Sequence, residues 1–208
     1  MPKIVDHDAR RSEICAIAVS LIARGGMEAA TIREIAQESG YSKGVVEHYF
    51  ENKEELISGA LDWINQCYER RVNQATVGLT GVQALRKRMQ ATVPTNKVIR
   101  DEWKVRLVFW SMAAIQEELR KAQEQRFVRA ADAFESDILS ALRMGELNTE
   151  RKPGDLARQL VNAIAGLSVV ALHSRSLYTR IFILQEVEAM IAQLGEGFVN
   201  ESPLRRAK

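Results

Sequence analysis

From Thr95 to Met144 the chain runs without a glycine or a proline, and this absence constrains the fold more than any other feature. Strands joined by tight turns need residues that preset a turn or tolerate positive φ, so a turn-rich all-β architecture is disfavoured and long helices are expected. The whole chain has 12 Gly and 4 Pro among its 208 residues, with 46% hydrophobic and 27% charged side chains. That balance suits one or two globular domains with a core of ordinary size and excludes a disordered tail.

Helical spacing can be followed through the chain. Ile14, Ile17, Ala18, Leu21 and Ile22 mark a first helix over 8–24, stopped by Gly25-Gly26. Thr31 followed by Glu34 reads as a capping box opening a short second helix that ends near Ser39. Gly40 can take the positive φ of a tight reversal, and Ser42 caps a third helix from Lys43 to about Phe50. Asn52 and Glu55 repeat the box at the head of a fourth helix carrying Leu56, Ile57, Ala60, Leu61 and Ile64. Longer helices are expected at about 81–92, 97–115, 118–144, 155–174 and 180–198. Phe127, Phe134, Ile138 and Leu142 share one face of the 118–144 helix. No stretch is rich enough in Gly, Pro or Ser to act as a flexible linker.

Net charge is +2, and the first 53 residues hold seven Lys and Arg against eight Asp and Glu. Bulk basicity therefore gives no argument for nucleic-acid binding, and position must carry it. The longest apolar run, Leu160–Leu172, is shorter than the roughly 20 residues of a bilayer span, so no membrane partner is expected. The charged start of the chain lacks the apolar segment of a secretory signal, which points to the cytoplasm. Cys15 and Cys67 sit in apolar helical patterns with no ligand-spaced partner and read as core thiols, redox sensing being the other use.

Two short helices joined at a glycine and braced by a third make a helix-turn-helix, whose second helix fits the DNA major groove. Val46 and Phe50 are four apart and can pack inward, leaving Ser42, Lys43, Gly44, Val45, Glu47 and His48 outward. Gly44 costs about 1 kcal/mol relative to Ala within a helix. Close approach of a phosphate backbone and tight packing on the first helix both account for it. The spacing Thr31, Ile35-Ala36, Gly40, Ser42, Gly44, Val46, Tyr49-Phe50, Lys53 and Leu56 resembles the DNA-binding domain of TetR-family transcriptional regulators. Tyr41 stands where that pattern has Val, and Glu47 where it has Tyr. The His48-Tyr49-Phe50 ending is similar to the BetI-like branch.

The resemblance implies an all-α protein. Residues 8–53 would form a three-helix DNA-binding domain, and 54–200 a helical effector-binding and dimerisation domain. It implies phosphate contacts from Thr31 and Lys53, both at helix N-termini where amides and dipole favour anions. Lys43 and His48 suit phosphate or a base edge, and Val45 a thymine methyl. Ser42 is a cap that can also reach DNA. Glu47 either accepts from cytosine or orients Lys43, the latter being preferred. Tyr49 divides between phosphate and packing. Arg33, like Arg10 and Arg11, can reach the flanking backbone or simply be solvated.

One recognition helix makes few contacts, so a homodimer on two half-sites roughly 34 to 36 Å apart is expected. The nearly all-apolar 160–172 segment and the last helix supply the dimer candidates. These are Leu160, Ala163, Ile164, Leu167 and Ala171 with Val187, Met190, Ile191 and Leu194; Phe198 continues the last stripe. A fully internal helix is the other reading. Trp103, Phe109, Trp110, Met112 and Gln116 are the effector candidates, weighed against plain core packing, and His173 is a further candidate that suits the dimer interface equally. Near relatives of the BetI type answer to choline, which an aromatic cage can hold.

The expected function is a ligand-responsive regulator, most simply a repressor, that binds a palindromic operator and is released by a small molecule. No cofactor or metal is implied. His7, His48 and His173 are scattered and no catalytic or Gly-rich phosphate motif is visible, which leaves an enzyme little support. A helical protein-interaction module is the alternative.

Overall fold

The computed structural model describes residues 7–195. Among these, nine α-helices and one short 3-10 turn make up the regular structure. They are α1 (His7–Gly25), α2 (Ile32–Ser39), α3 (Lys43–Tyr49), α4 (Lys53–Thr76), α5 (Gly81–Thr92), α6 (Lys97–Ala113), α7 (Glu117–Arg143), α8 (Pro153–His173) and α9 (Arg180–Ala192). The sequence periodicity places all nine. It misses the 3-10 turn Met27–Ala29, runs α6 two residues too far, and starts α8 after Pro153. Pro153 begins α8 because its missing N–H has no intrahelical acceptor to lose there. The last helix stops at Ala192, short of the expected 198; Phe198 lies outside the described residues.

Two apolar cores organise the chain. The first joins Ile14, Ala18 and Ile22 of α1 to Ile35, Val46 and Phe50, and to Leu56, Ala60 and Ile64 of α4. Val105 and Phe109 of α6 close it from the other side. The second is built from Leu85 and Met89 of α5, Trp103 of α6, Phe134 and Ile138 of α7, Leu156 and Leu160 of α8, and Ile183 and Val187 of α9. Helix α6 contributes to both cores, and its Lys104 donates to the carbonyl of Ala23 on α1 at 3.1 Å.

The buried carboxylates Glu102 and Asp137 are paired. Arg71 grips Glu102 through two bonds of 2.7 Å, and Arg88 holds Asp137 at 2.7 and 3.3 Å. These pairs tie α4 to α6 and α5 to α7. Helix α8 is the one helix among the described residues that is long and apolar enough, by length and composition, to cross a membrane. It exceeds the apolar run read from sequence because its first turns extend the element. Here its apolar side packs in the second core through Leu156, Leu160 and Ile164. Cys15 is buried, and burial pushes its thiol up to about 11; Cys67 is half-buried.

Candidate functional site

The α2–α3 reversal is set by local chemistry. Thr31 Oγ1 accepts from the Glu34 amide at 3.1 Å and Ser42 Oγ from the Val45 amide at 3.3 Å, so each short helix starts at its cap. Gly40 ends α2 with φ of 72°, a left-handed conformation that suits glycine. Tyr41 takes the place of an apolar residue without disturbing the turn. Its hydroxyl donates to Glu13 at 2.5 Å, which raises its pKa, and Arg10 lies 5.1 Å from its ring centre. At the head of α4, Asn52 caps the Glu55 amide at 2.8 Å, while the Glu55 carboxylate accepts from Glu51 instead of Asn52.

Helix α3 presents two unlike faces. Val46 and the following Phe50 are fully buried, while Ser42, Lys43, Gly44, Glu47 and His48 are exposed and Val45 is half-exposed. A Cβ added at Gly44 meets no atom within 4 Å. Packing on the first helix therefore does not account for this glycine. Lys43 pairs with Glu47 at 2.9 Å across one turn. Lys53 pairs with the outstanding Glu28 at 3.2 Å. Exposed pairs of this kind are weak, so both ammonium groups can be drawn to another anion. Tyr49 is half-buried, its hydroxyl 3.1 Å from His7 Nδ1, and the His48 ring lies edge-on to it at 5.4 Å. Thr31 and Arg33 are exposed on the same domain. Arg11, in contrast, is engaged by the fold: it donates to the Tyr49 carbonyl at 2.6 Å and lies 4.3 Å from the Phe50 ring centre.

A second feature is a cavity of about 260 Å³ between α4, α5, α6, α7 and α8. Of the candidates read from sequence, Trp103, Phe109 and Trp110 line it. Met112, Gln116 and His173 do not. Gln116 is exposed at the start of α7, Met112 lies outside the cavity wall, and exposed His173 places Nδ1 2.8 Å from the Val169 carbonyl at the end of α8. Their spacing continues an aromatic segment, but α6 ends at Ala113 and the wall is completed by α4 and α7 instead. The missed wall residues include Asn65, Tyr68, Arg106, Arg126 and Phe127. Trp110 stands edge-to-face with Trp103 at 5.6 Å and 5.4 Å from Phe127. Arg106 Nε and Nη2 are buried without a hydrogen-bond partner, and burial holds the guanidinium below its usual pKa. An arginine in the inward stripe Trp103, Arg106, Phe109 and Trp110 was the available sequence signal.

The dimer candidates need correction. Leu160, Ile164, Leu167, Ala171, Val187, Ile191 and Leu194 are all buried within the protomer's own second core, where a second subunit has no access. Ala163 and Met190 are half-exposed. The outward side of the same region carries instead Val170, Leu177, Ile181 and Phe182, with exposures of 43, 71, 72 and 38%. Hydrophobic spacing selected the wider apolar stripe, which a helix turns to its own core.

Residues 14–60 match the model of bacterial regulatory proteins of the tetR family, and residues 82–196 match the BetI-type transcriptional repressor C-terminal model. The chain is 29% identical over 157 residues to the HTH-type transcriptional regulator PksA of Bacillus subtilis, covering 73% of this chain and 77% of that protein. It is 28% identical over 126 residues to BetI of Ectopseudomonas mendocina, covering 59% and 64% of the two chains. Among solved structures, a transcriptional regulator from Saccharomonospora viridis in complex with choline superposes with a TM-score of 0.80 at 23% identity, over 89% of this chain and 97% of that one. A regulator from Rhodococcus superposes at 0.76 and 22% identity, over 88% and 95%. The exposed α3 face, the capped turn that presents it and these matches lead to one assignment: the chain belongs to the TetR family of bacterial transcriptional regulators, with a C-terminal region of the BetI type.

Proposed function

We propose that this regulator binds a palindromic operator as a homodimer, represses from it, and is released when a small molecule enters the cavity. The observation that carries the DNA half is the division of α3, with Val46 sealed in the core and Lys43, Gly44, Val45, Glu47 and His48 left outward. In this reading Lys43, Lys53, Thr31, Ser42 and Arg33 meet phosphate, while Val45 and His48 meet base edges. Gly44 lets the DNA backbone come close; Glu47 orients Lys43, and Tyr49 braces the helix end.

DNA reading is assigned to 8–53 and effector binding with dimerisation to 54–200. The first turns of α4 serve both, since Leu56, Ala60 and Ile64 complete the N-terminal core. That arrangement supports a coupling route: α4 starts at Lys53 beside α3 and reaches the cavity wall at Tyr68 and Val72. A ligand that prefers one α4 placement by about 1 to 3 kcal/mol changes operator affinity roughly 5- to 150-fold. The outward residues Val170, Ile181 and Phe182 of α8 and α9 support a two-fold contact there, with Ala163 and Met190 beside it.

Footprinting on the protein's own promoter, at two salt concentrations, tests this. Paired protections that weaken steeply with salt are expected, because phosphate neutralisation releases counterions. Binding that ignores salt, or no protection, refutes it.

A further inference from the structure

Resting on the reading of the cavity as the effector site, we propose that its ligand is a small organic anion, a carboxylate on an apolar body, received by Arg106. Arg106 lines the cavity with Nε and Nη2 buried and unpartnered. The neighbouring acids are already committed: Glu102 to Arg71, and Asp137 to Arg88, both through paired bonds. Glu102 is the nearest favourable charge to Arg106 as well, but its two oxygens are bonded to Arg71, so one buried carboxylate faces two guanidinium groups and none hydrogen-bonds Arg106. Arg126, on the opposing helix α7, also lines the cavity and reaches Asp62 only at 3.9 Å. The wall further contains Arg88 and Arg129 against a single acid, Glu69, which is exposed to solvent.

A buried guanidinium is costly without an anion, and its planar fork matches a carboxylate through two parallel hydrogen bonds. The rest of the wall suits an apolar body, with Trp103, Trp110 and Phe127 in successive ring contact and Phe134 lining it as well. A quaternary ammonium fits this cavity poorly. Arg106 itself lies 5.0 Å from the Tyr68 ring centre and 5.7 Å from that of Trp103. Two of the lining rings therefore already face a cation, and a second beside them would meet like charge. At about 260 Å³ the space is near the lower end for ligand pockets, which favours a compact molecule.

The test uses matched ligands on the full chain: phenylacetate, phenylacetamide and phenethylamine, then hexanoate, hexanamide and hexylamine, with choline alongside. Calorimetry and thermal melts should show at least one carboxylate binding at least tenfold more tightly than its amide, with the amines and choline leaving Tm unchanged. Arg106→Gln should lower carboxylate affinity at least tenfold, leave the amide unaffected, and melt no lower than the parent. Failure of both carboxylates to bind, tighter binding of choline or an amine, or unchanged carboxylate affinity in Arg106→Gln overturns the proposal. The ligand ranking on the unaltered chain decides the matter even if the variant folds poorly. Operator binding by the ligand-free protein is measured in the same preparation. Its absence refutes the regulator mechanism while leaving the charge preference intact, and carboxylate binding without any change in operator affinity refutes the effector role alone.

Discussion

Replacing Gly44 by alanine separates folding from DNA recognition more cleanly than any other substitution, because the two effects have opposite signs. The added Cβ meets nothing within 4 Å, and Gly44 lies inside α3 with an ordinary helical backbone. The folded protein therefore gains most of the helix propensity difference, about 0.5 to 1 kcal/mol, without a clash. For a chain of this size that raises Tm by about 1 to 4 °C. On the operator, under the proposed role of Gly44, the same methyl would stand where the phosphate backbone comes close. Overpacking of that kind costs about 1 to 3 kcal/mol, or roughly 5- to 150-fold in affinity. Thermal melts and fluorescence anisotropy with a labelled operator read the two effects side by side. A stabilised variant that binds the operator as tightly as the parent removes the close-approach argument, and a destabilised one shows that the glycine serves packing after all.

Other substitutions address separate parts of the account. Lys53→Ala should weaken binding to every DNA sequence and flatten the salt dependence by about one unit per subunit, with little change in Tm because its pair with exposed Glu28 contributes little. Val45→Ala should change the preference at one base pair, so equal losses across a panel of operator variants would contradict base contact. Glu102→Ala leaves Arg71 without its buried partner and should destabilise the fold by about 3 kcal/mol or more, read by urea denaturation. The Cys15 thiol, raised by burial to about 11, stays protonated in the native protein after the unfolded chain has begun to ionise near 9. Stability should therefore fall as pH rises between 9 and 11, and Ellman's reagent at pH 8 should label Cys67 ahead of Cys15. Equal labelling of both in native protein would refute the burial argument.

The N-terminal half was legible because its signals are local. Thr31, Ser42 and Asn52 each cap the helix that their spacing announces, and Gly40 adopts the conformation that only the reversal demands. Val46 and Phe50 could be assigned inward from one turn of spacing. The capping boxes were half right, since the side-chain oxygens bind the expected amides while Glu55 returns to Glu51. The C-terminal part required information that periodicity lacks. An apolar stripe says that a face is covered without saying by what: the spacing of Leu160, Ile164, Val187 and Ile191 suits a partner or an internal helix alike, and in the fold the protomer's own helices cover them. The cavity wall suffered the same way: Met112 and Gln116 follow the aromatics in sequence, whereas Tyr68 and Arg126 come from helices far along the chain. Arg106 left a readable trace, a cation set between Trp103 and Trp110 on an otherwise apolar stripe.

Hydroxyl-radical footprinting of the operator, with the stoichiometry determined by sedimentation, tests the central claim most directly. The account predicts two subunits per site and two protected stretches related by a dyad, with centres one helical turn apart or a multiple of it. Loss of both stretches together should follow a charge reversal such as Lys43→Glu. A single protected stretch bound by one subunit, or protection that survives this reversal at equal affinity, contradicts it.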